Sequence, residues 1–96
     1  MTGISTHEAY ERAREIAGAI VSGEVSAFAG AMTIWREVID HLGPTCPDDL
    51  WPFKSNASAI EDAEWNAREG GARADQLILR CEHEIMEAAR RLSRSA

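Results

Sequence analysis

Between Val25 and Leu42, apolar side chains recur at spacings of three and four: Val25, Phe28, Ala31, Met32, Ile34, Trp35, Val38, Ile39 and Leu42. At about 100° per residue they cover roughly half of a helix's circumference. A stripe that wide is more than one neighbour can cover, so the segment predicts a central helix gripped by two partners. With 96 residues in all, those partners must come from the rest of one small domain. No stretch alternates with period two for long enough to make a strand. The chain therefore reads as all-α: a compact helical bundle over residues 1–96, with three main helices and one short one. The periodicity places them at about 6–22, 24–42, 59–69 and 72–93, with a Pro/Trp-rich lid loop at 43–57.

The flanking signals fit this order. Ser5-Thr6-His7-Glu8 has the form of a capping box for the first helix. Its apolar stripe, Ala9, Ala13, Ile16, Ala17 and Ile20, is small-sided and predicts a close approach to its neighbour. Gly23 supplies the left-handed residue that ends the helix, and so short a link predicts an antiparallel hairpin. Pro44, Pro47 and Pro52 argue against a continuous helix after Leu42, while Leu50, Trp51 and Phe53 argue that the lid folds onto the core rather than into water. Ser58-Ala59-Ile60-Glu61 has the form of a second capping box, and Gly70-Gly71 breaks the short helix that follows. The last helix carries Ala74, Leu77, Ile78, Cys81, Ile85, Ala88, Ala89 and Leu92 on one stripe, with Arg90, Arg91 and Arg94 opposing its dipole at the end. Within this frame Phe28 and Trp35 are expected to be nearly inaccessible.

Charge narrows the function classes. Sixteen acidic against ten basic side chains give −6, which disfavours nucleic acid and anionic membrane surfaces as partners. No apolar run approaches the ~20 residues of a membrane span. The first eight residues lack the basic and apolar regions of a signal peptide. Two cysteines are no disulfide framework, so a reducing cytoplasm is expected.

Few residues point to chemistry. His7 with Glu11, and His83 with Glu87, have the i,i+4 spacing that can put two ligands on one metal. Two ligands do not make a site, and solvated charged faces explain both pairs, so neither a metal nor another cofactor is expected. Cys81 sits mid-stripe and reads as a core residue. Cys46, in the lid, is expected to be the more exposed and the first to react, although Asp48 and Asp49 nearby disfavour a reactive thiolate. No carboxylate is placed for acid–base catalysis, and no enzyme activity is expected.

The order Ser22-Gly23-Glu24, Gly30-Ala31, Asp49-Leu50 with Phe53, then a downstream serine, resembles that of small uncharacterised bacterial all-α proteins. It spans Ile20 to Ser58, about two fifths of the chain; Lys54–Gly71 does not follow the pattern. The resemblance implies a compact helical domain without known catalytic residues, in a bacterial cytoplasm. Some such proteins sit beside toxin genes and look like immunity proteins.

Three functions fit these readings. The first is a non-enzymatic binding protein, an immunity-like inhibitor in one form, that docks a basic protein partner. Its surface would combine Asp48, Asp49, Glu61, Asp62 and Glu64 with Trp51 and Trp65, since aromatic side chains supply affinity and charge steers association. The second is a structural or oligomerising protein, with Leu79 and Met86 on a separate flank of the last helix as a homodimer seam. The third is a small-ligand binder with a pocket under the lid, between Trp51, Phe53 and the second helix.

Overall fold

The computed structural model describes residues 6–43, 46–68 and 74–94. Every regular element among them is helical. The first helix, α1, is Thr6–Ser22, and Ala9, Ala13, Ile16, Ala17 and Ile20 are its buried face. Ser5, read as its cap, lies outside the described residues. The C-terminus closes as a Schellman turn. Gly23 takes φ +85°, its N–H donates to the Ile20 carbonyl at 3.2 Å, and the Glu24 N–H donates to Ala19 at 2.9 Å.

The second helix starts three residues later than its periodicity indicated. Ser26, not Glu24, sets the start, because its Oγ accepts the Ala29 N–H at 3.1 Å. The rod begins as Ala27–Ile34, widens into a π-helical stretch at Trp35–Ile39 and ends in the turn Asp40–Leu42; together these are α2. The Asp40 N–H reaches back to the Trp35 carbonyl, the i→i−5 bond of a π-turn. The widened turn sets both Val38 and Ile39 in the core with Ile34. Phe28 and Trp35 are left on the borders of the stripe, and both are only half-buried. The expectation that they are nearly inaccessible is therefore corrected: a stripe of half a circumference buries its centre, and its edges touch one neighbour each.

The larger correction concerns the lid. A 3-10 turn, Asp48–Leu50, leads directly into α3, an uninterrupted helix over Trp51–Arg68. Among the described residues there are four substantial helices, not three and a short one. Pro52 lies in the first turn of α3, where its missing N–H has no intrahelical acceptor to lose. Ser58 is mid-helix and caps nothing. Leu50, Phe53, Ala57 and Ile60 are spaced three, four and three apart and are all at most 1% exposed. Between them Asn56, the one buried polar side chain among the described residues, donates through Nδ2 to the Pro52 carbonyl at 2.8 Å. Phe53, placed in the lid by its sequence context, is thus the largest fully buried side chain.

The last helix, α4, is Ala74–Arg94. Gly70-Gly71, read as the break before it, lies outside the described residues. Cys81, Ile85, Ala88, Ala89 and Leu92 are buried; Leu77, expected on the same stripe, is 43% exposed near the start of the helix. The four helices run alternately up and down. Arg12 of α1 meets Glu37 of α2 at 3.0 Å, Phe28 of α2 shares a groove with Trp65 of α3, and Pro52 of α3 faces Leu92 of α4. The most extensive packing joins α3 to α4, while α2 touches all three other helices.

The tightest approach is between α1 and α2 at Gly30. A Cβ built there would lie 2.5 Å from Ile20 Cδ1 and 3.3 Å from Val25 Cγ2. Ile20 is fully buried and has little room to move. Gly18 has nothing within 4 Å of its Cβ position. Gly30→Ala is therefore expected to destabilise the fold by ~1–3 kcal/mol through overpacking, and Gly18→Ala to stabilise it by ~0.5–1 kcal/mol through helix propensity. Urea denaturation of both variants checks the pair of opposite signs.

Candidate functional site

The partner-binding residues read from the sequence fall along one 3-10 turn and the helix that follows it, but not on one surface. Asp48 and Asp49 occupy the 3-10 turn, and Trp51 is the first residue of α3. Glu61, Asp62, Glu64 and Trp65 belong to its last turns. Fourteen residues of α-helix separate Trp51 from Trp65, which is about 20 Å at 1.5 Å per residue. A lid would have folded these groups together; a continuous helix holds them at opposite ends of the bundle.

At the lower end, Asp49 belongs to an internal contact. The Tyr10 hydroxyl of α1 donates to Asp49 Oδ2. That bond, then burial, then the Asp49 charge push the Tyr10 phenol up to about 12, with Arg14 acting in the opposite sense. Trp51 is also engaged. The Lys54 ammonium lies 5.3 Å from the Trp51 ring centroid and 5.5 Å from that of Trp35, within the range of a cation–π attraction. The only lysine of the chain is thus held between two indoles. The ligand pocket expected between Trp51, Phe53 and α2 is instead occupied territory: Phe53 is core and Lys54 bridges the rings. A cavity of about 370 Å³ opens on another side of the same segment, lined by Asp48, Asp49, Pro52, Ala88, Arg91 and Leu92.

At the upper end, Trp65 is 63% exposed. With Phe28, Glu61 and Glu64 it lines an open groove of about 260 Å³. Among the residues whose side chains are described, 6–43, 46–65 and 75–94, none forms an ion pair with Glu61, Asp62 or Glu64. Glu11, Glu15, Glu37, Glu84 and Glu87, by contrast, all pair with a base. Phe28 escaped the sequence reading as a surface residue because its spacing placed it on the buried stripe. Its position in the first turn of α2, where few side chains cover it, was the available signal.

The remaining residues are less suited to chemistry. Leu79 is 67% exposed, whereas Met86 is half-buried against the core, so the two do not form an open seam together. Cys46 is buried, contrary to the expectation of an exposed thiol, and so is Cys81. Burial pushes both thiols up; Lys54 partly offsets this at Cys46 and Arg80 at Cys81. Neither has the lowered pKa of a nucleophile. His7–Glu11 and His83–Glu87 are exposed pairs at 4.0 and 3.8 Å. No three His, Cys, Asp or Glu side chains converge among the described residues, and no described helix is long and apolar enough to cross a membrane.

The Tyr10–Asp49 contact has a measurable consequence. The fold prefers the neutral phenol, whose ordinary value is 10.0. Between pH 10 and about 12 the folded chain keeps a proton that the unfolded chain releases. The stabilisation is complete below pH 10 and is lost as pH rises toward 12. Tyr10 is the only tyrosine, so absorbance near 295 nm reports it alone. Its midpoint is expected near 12 while circular dichroism still shows helix, and Asp49→Ala should move it back toward 10. A midpoint near 10 in the unaltered protein would dissolve the contact. No protein-family model matches this chain, and neither does any curated protein or solved structure.

Proposed function

We propose that this protein is a non-enzymatic binding protein that docks a basic protein partner on the upper end of its bundle, with Trp65, Glu61 and Glu64 at the centre of the contact. One observation carries the reading. Of the six large apolar side chains exposed among the described residues, Val21, Val25, Trp65, Leu77 and Leu79 all belong to segments that meet at this end; Trp51 alone lies at the other. Trp65, at 63% the most exposed aromatic side chain among the described residues, is the one of these that borders carboxylates. The carboxylates beside Trp65 add the sign of the partner. Exposed aromatic side chains at the centre of a contact carry affinity, and unpaired rim charges steer encounter. Asp62, exposed on the neighbouring face of the helix, does not line the groove. Asp48 and Asp49, at the far end, take no part in this contact. Inhibition of a basic partner, in the manner of an immunity-like protein, is one form that such docking would take.

A second reading has its own support. Leu79, at 67% exposure, and Leu77 lie near the start of α4 and would suit a contact between two copies.

The test is capture from the source cell with tagged protein, in parallel with light scattering of the purified chain. Trp65→Ala should speed dissociation, and Glu61→Lys with Glu64→Lys should slow association. Recovery should fall with added salt, because exposed charges are screened beyond ~8 Å at physiological ionic strength. Asp48→Lys, at an exposed position of the far end, should leave recovery unchanged. A captured protein that is acidic, or recovery indifferent to Trp65 and the two glutamates, would overturn the docking surface. A dimer that Leu79→Lys dissolves would give the upper end to a second copy instead.

A further inference from the structure

The cavity at the lower end carries both signs of charge over an apolar floor. Ala88 and Leu92 of α4 are buried and Pro52 of α3 is half-buried beneath it. Asp48 and Arg91 stand on its rim. No ion pair joins them, and neither has another ion-pair partner among the described residues. Asp49, the third charged group of the lining, is held by the Tyr10 hydroxyl. The cavity measures about 370 Å³, within the range of small-molecule sites, about 300–1,000 Å³.

We propose that this cavity binds a small aliphatic zwitterion of amino-acid size, with its ammonium group at Asp48, its carboxylate at Arg91 and its methylenes on Pro52, Ala88 and Leu92. A simple anion would face Asp48 and Asp49 across the same opening, and a simple cation would face Arg91. A ligand with both charges meets each wall with its complement. Arginine is suited to the carboxylate end because its planar fork can donate two hydrogen bonds to one carboxylate. Each exposed ion pair alone contributes little, so the two charges and the apolar floor must act together. The site stands apart from the Trp65 groove and does not depend on it.

The test is a nuclear magnetic resonance titration of the full chain at constant ionic strength, with the ω-amino acids from 4-aminobutanoate to 6-aminohexanoate as probes. Hexylammonium and hexanoate serve as single-charge controls. The inference expects saturable shifts of the Asp49, Trp51, Ala88 and Leu92 amides with at least one zwitterion. It expects at least about tenfold weaker binding of both controls, and a similar loss in Asp48→Asn and in Arg91→Gln. Both substitutions are at exposed positions, and thermal melting verifies that each variant folds. If one does not, the comparison of probes on the unaltered protein decides alone. Shifts that never saturate, or controls that bind as well as every zwitterion, would overturn the proposal. So would two folded variants that bind unchanged.

Discussion

Burial of Phe53 in the first turn of α3 is the contact on which the rest of the arrangement depends. The chain is poor in large core residues, and its three tryptophans and Phe28 are all at least partly exposed. Phe53 alone among the aromatic side chains is fully withdrawn from water. Placing it there requires the chain to turn sharply after α2 and to enter α3 at Trp51. The 3-10 turn makes this entry, with the Leu50 N–H donating to the Pro47 carbonyl at 3.1 Å and Leu50 buried beside it. Everything at the lower end follows. Asp49 is brought to Tyr10, Lys54 is brought between Trp35 and Trp51, and Asp48 and Pro52 are set opposite the last turns of α4. A large-to-small change in such a core costs ~3–5 kcal/mol for a phenylalanine, a large share of the stability of a domain this small.

The all-α fold was legible in the sequence because three of its helices advertise themselves by period. The alanine stripe of α1, the left-handed Gly23 and the stripe from Cys81 to Leu92 each correspond to an observed feature. The third helix was not legible, for two physical reasons. Pro52 was weighed as a helix breaker, although a proline in a first turn costs no hydrogen bond. The polar run Lys54-Ser55-Asn56 interrupted the apolar pattern, although Asn56 satisfies its own amide on the Pro52 carbonyl and can therefore be buried. The signal was present in Leu50, Phe53, Ala57 and Ile60, which keep helical spacing straight through the supposed loop. Ser58-Ala59-Ile60-Glu61 then mimicked a helix start inside a helix.

The surface was harder to read than the core. Acidic residues between positions 48 and 64 are close in sequence, and a loop would have gathered them; a helix distributes them by rise and angle instead. That geometry separates two kinds of surface. The upper end sets an exposed tryptophan beside two glutamates, the makings of a protein contact. The lower end joins an aspartate and an arginine, neither ion-paired among the described residues, to a small apolar floor on the scale of a metabolite. The pairing of Asp49 with Tyr10, 39 positions apart, and the capture of Lys54 by two indoles depend on the packing of helices distant in sequence, and no local spacing encodes either.

The continuity of α3 from Trp51 to Arg68 is the claim that most directly separates this architecture from a lid over a three-helix core. Native-state amide hydrogen exchange of residues 55–60 tests it. In a continuous helix with Phe53 and Ile60 in the core, these amides are bonded to carbonyls four residues back and open only with much of the domain. Their protection should match that of the Cys81–Ala89 stretch of α4. Exchange at the rate of an open loop across residues 55–58, with protection beginning only after residue 59, would contradict the account.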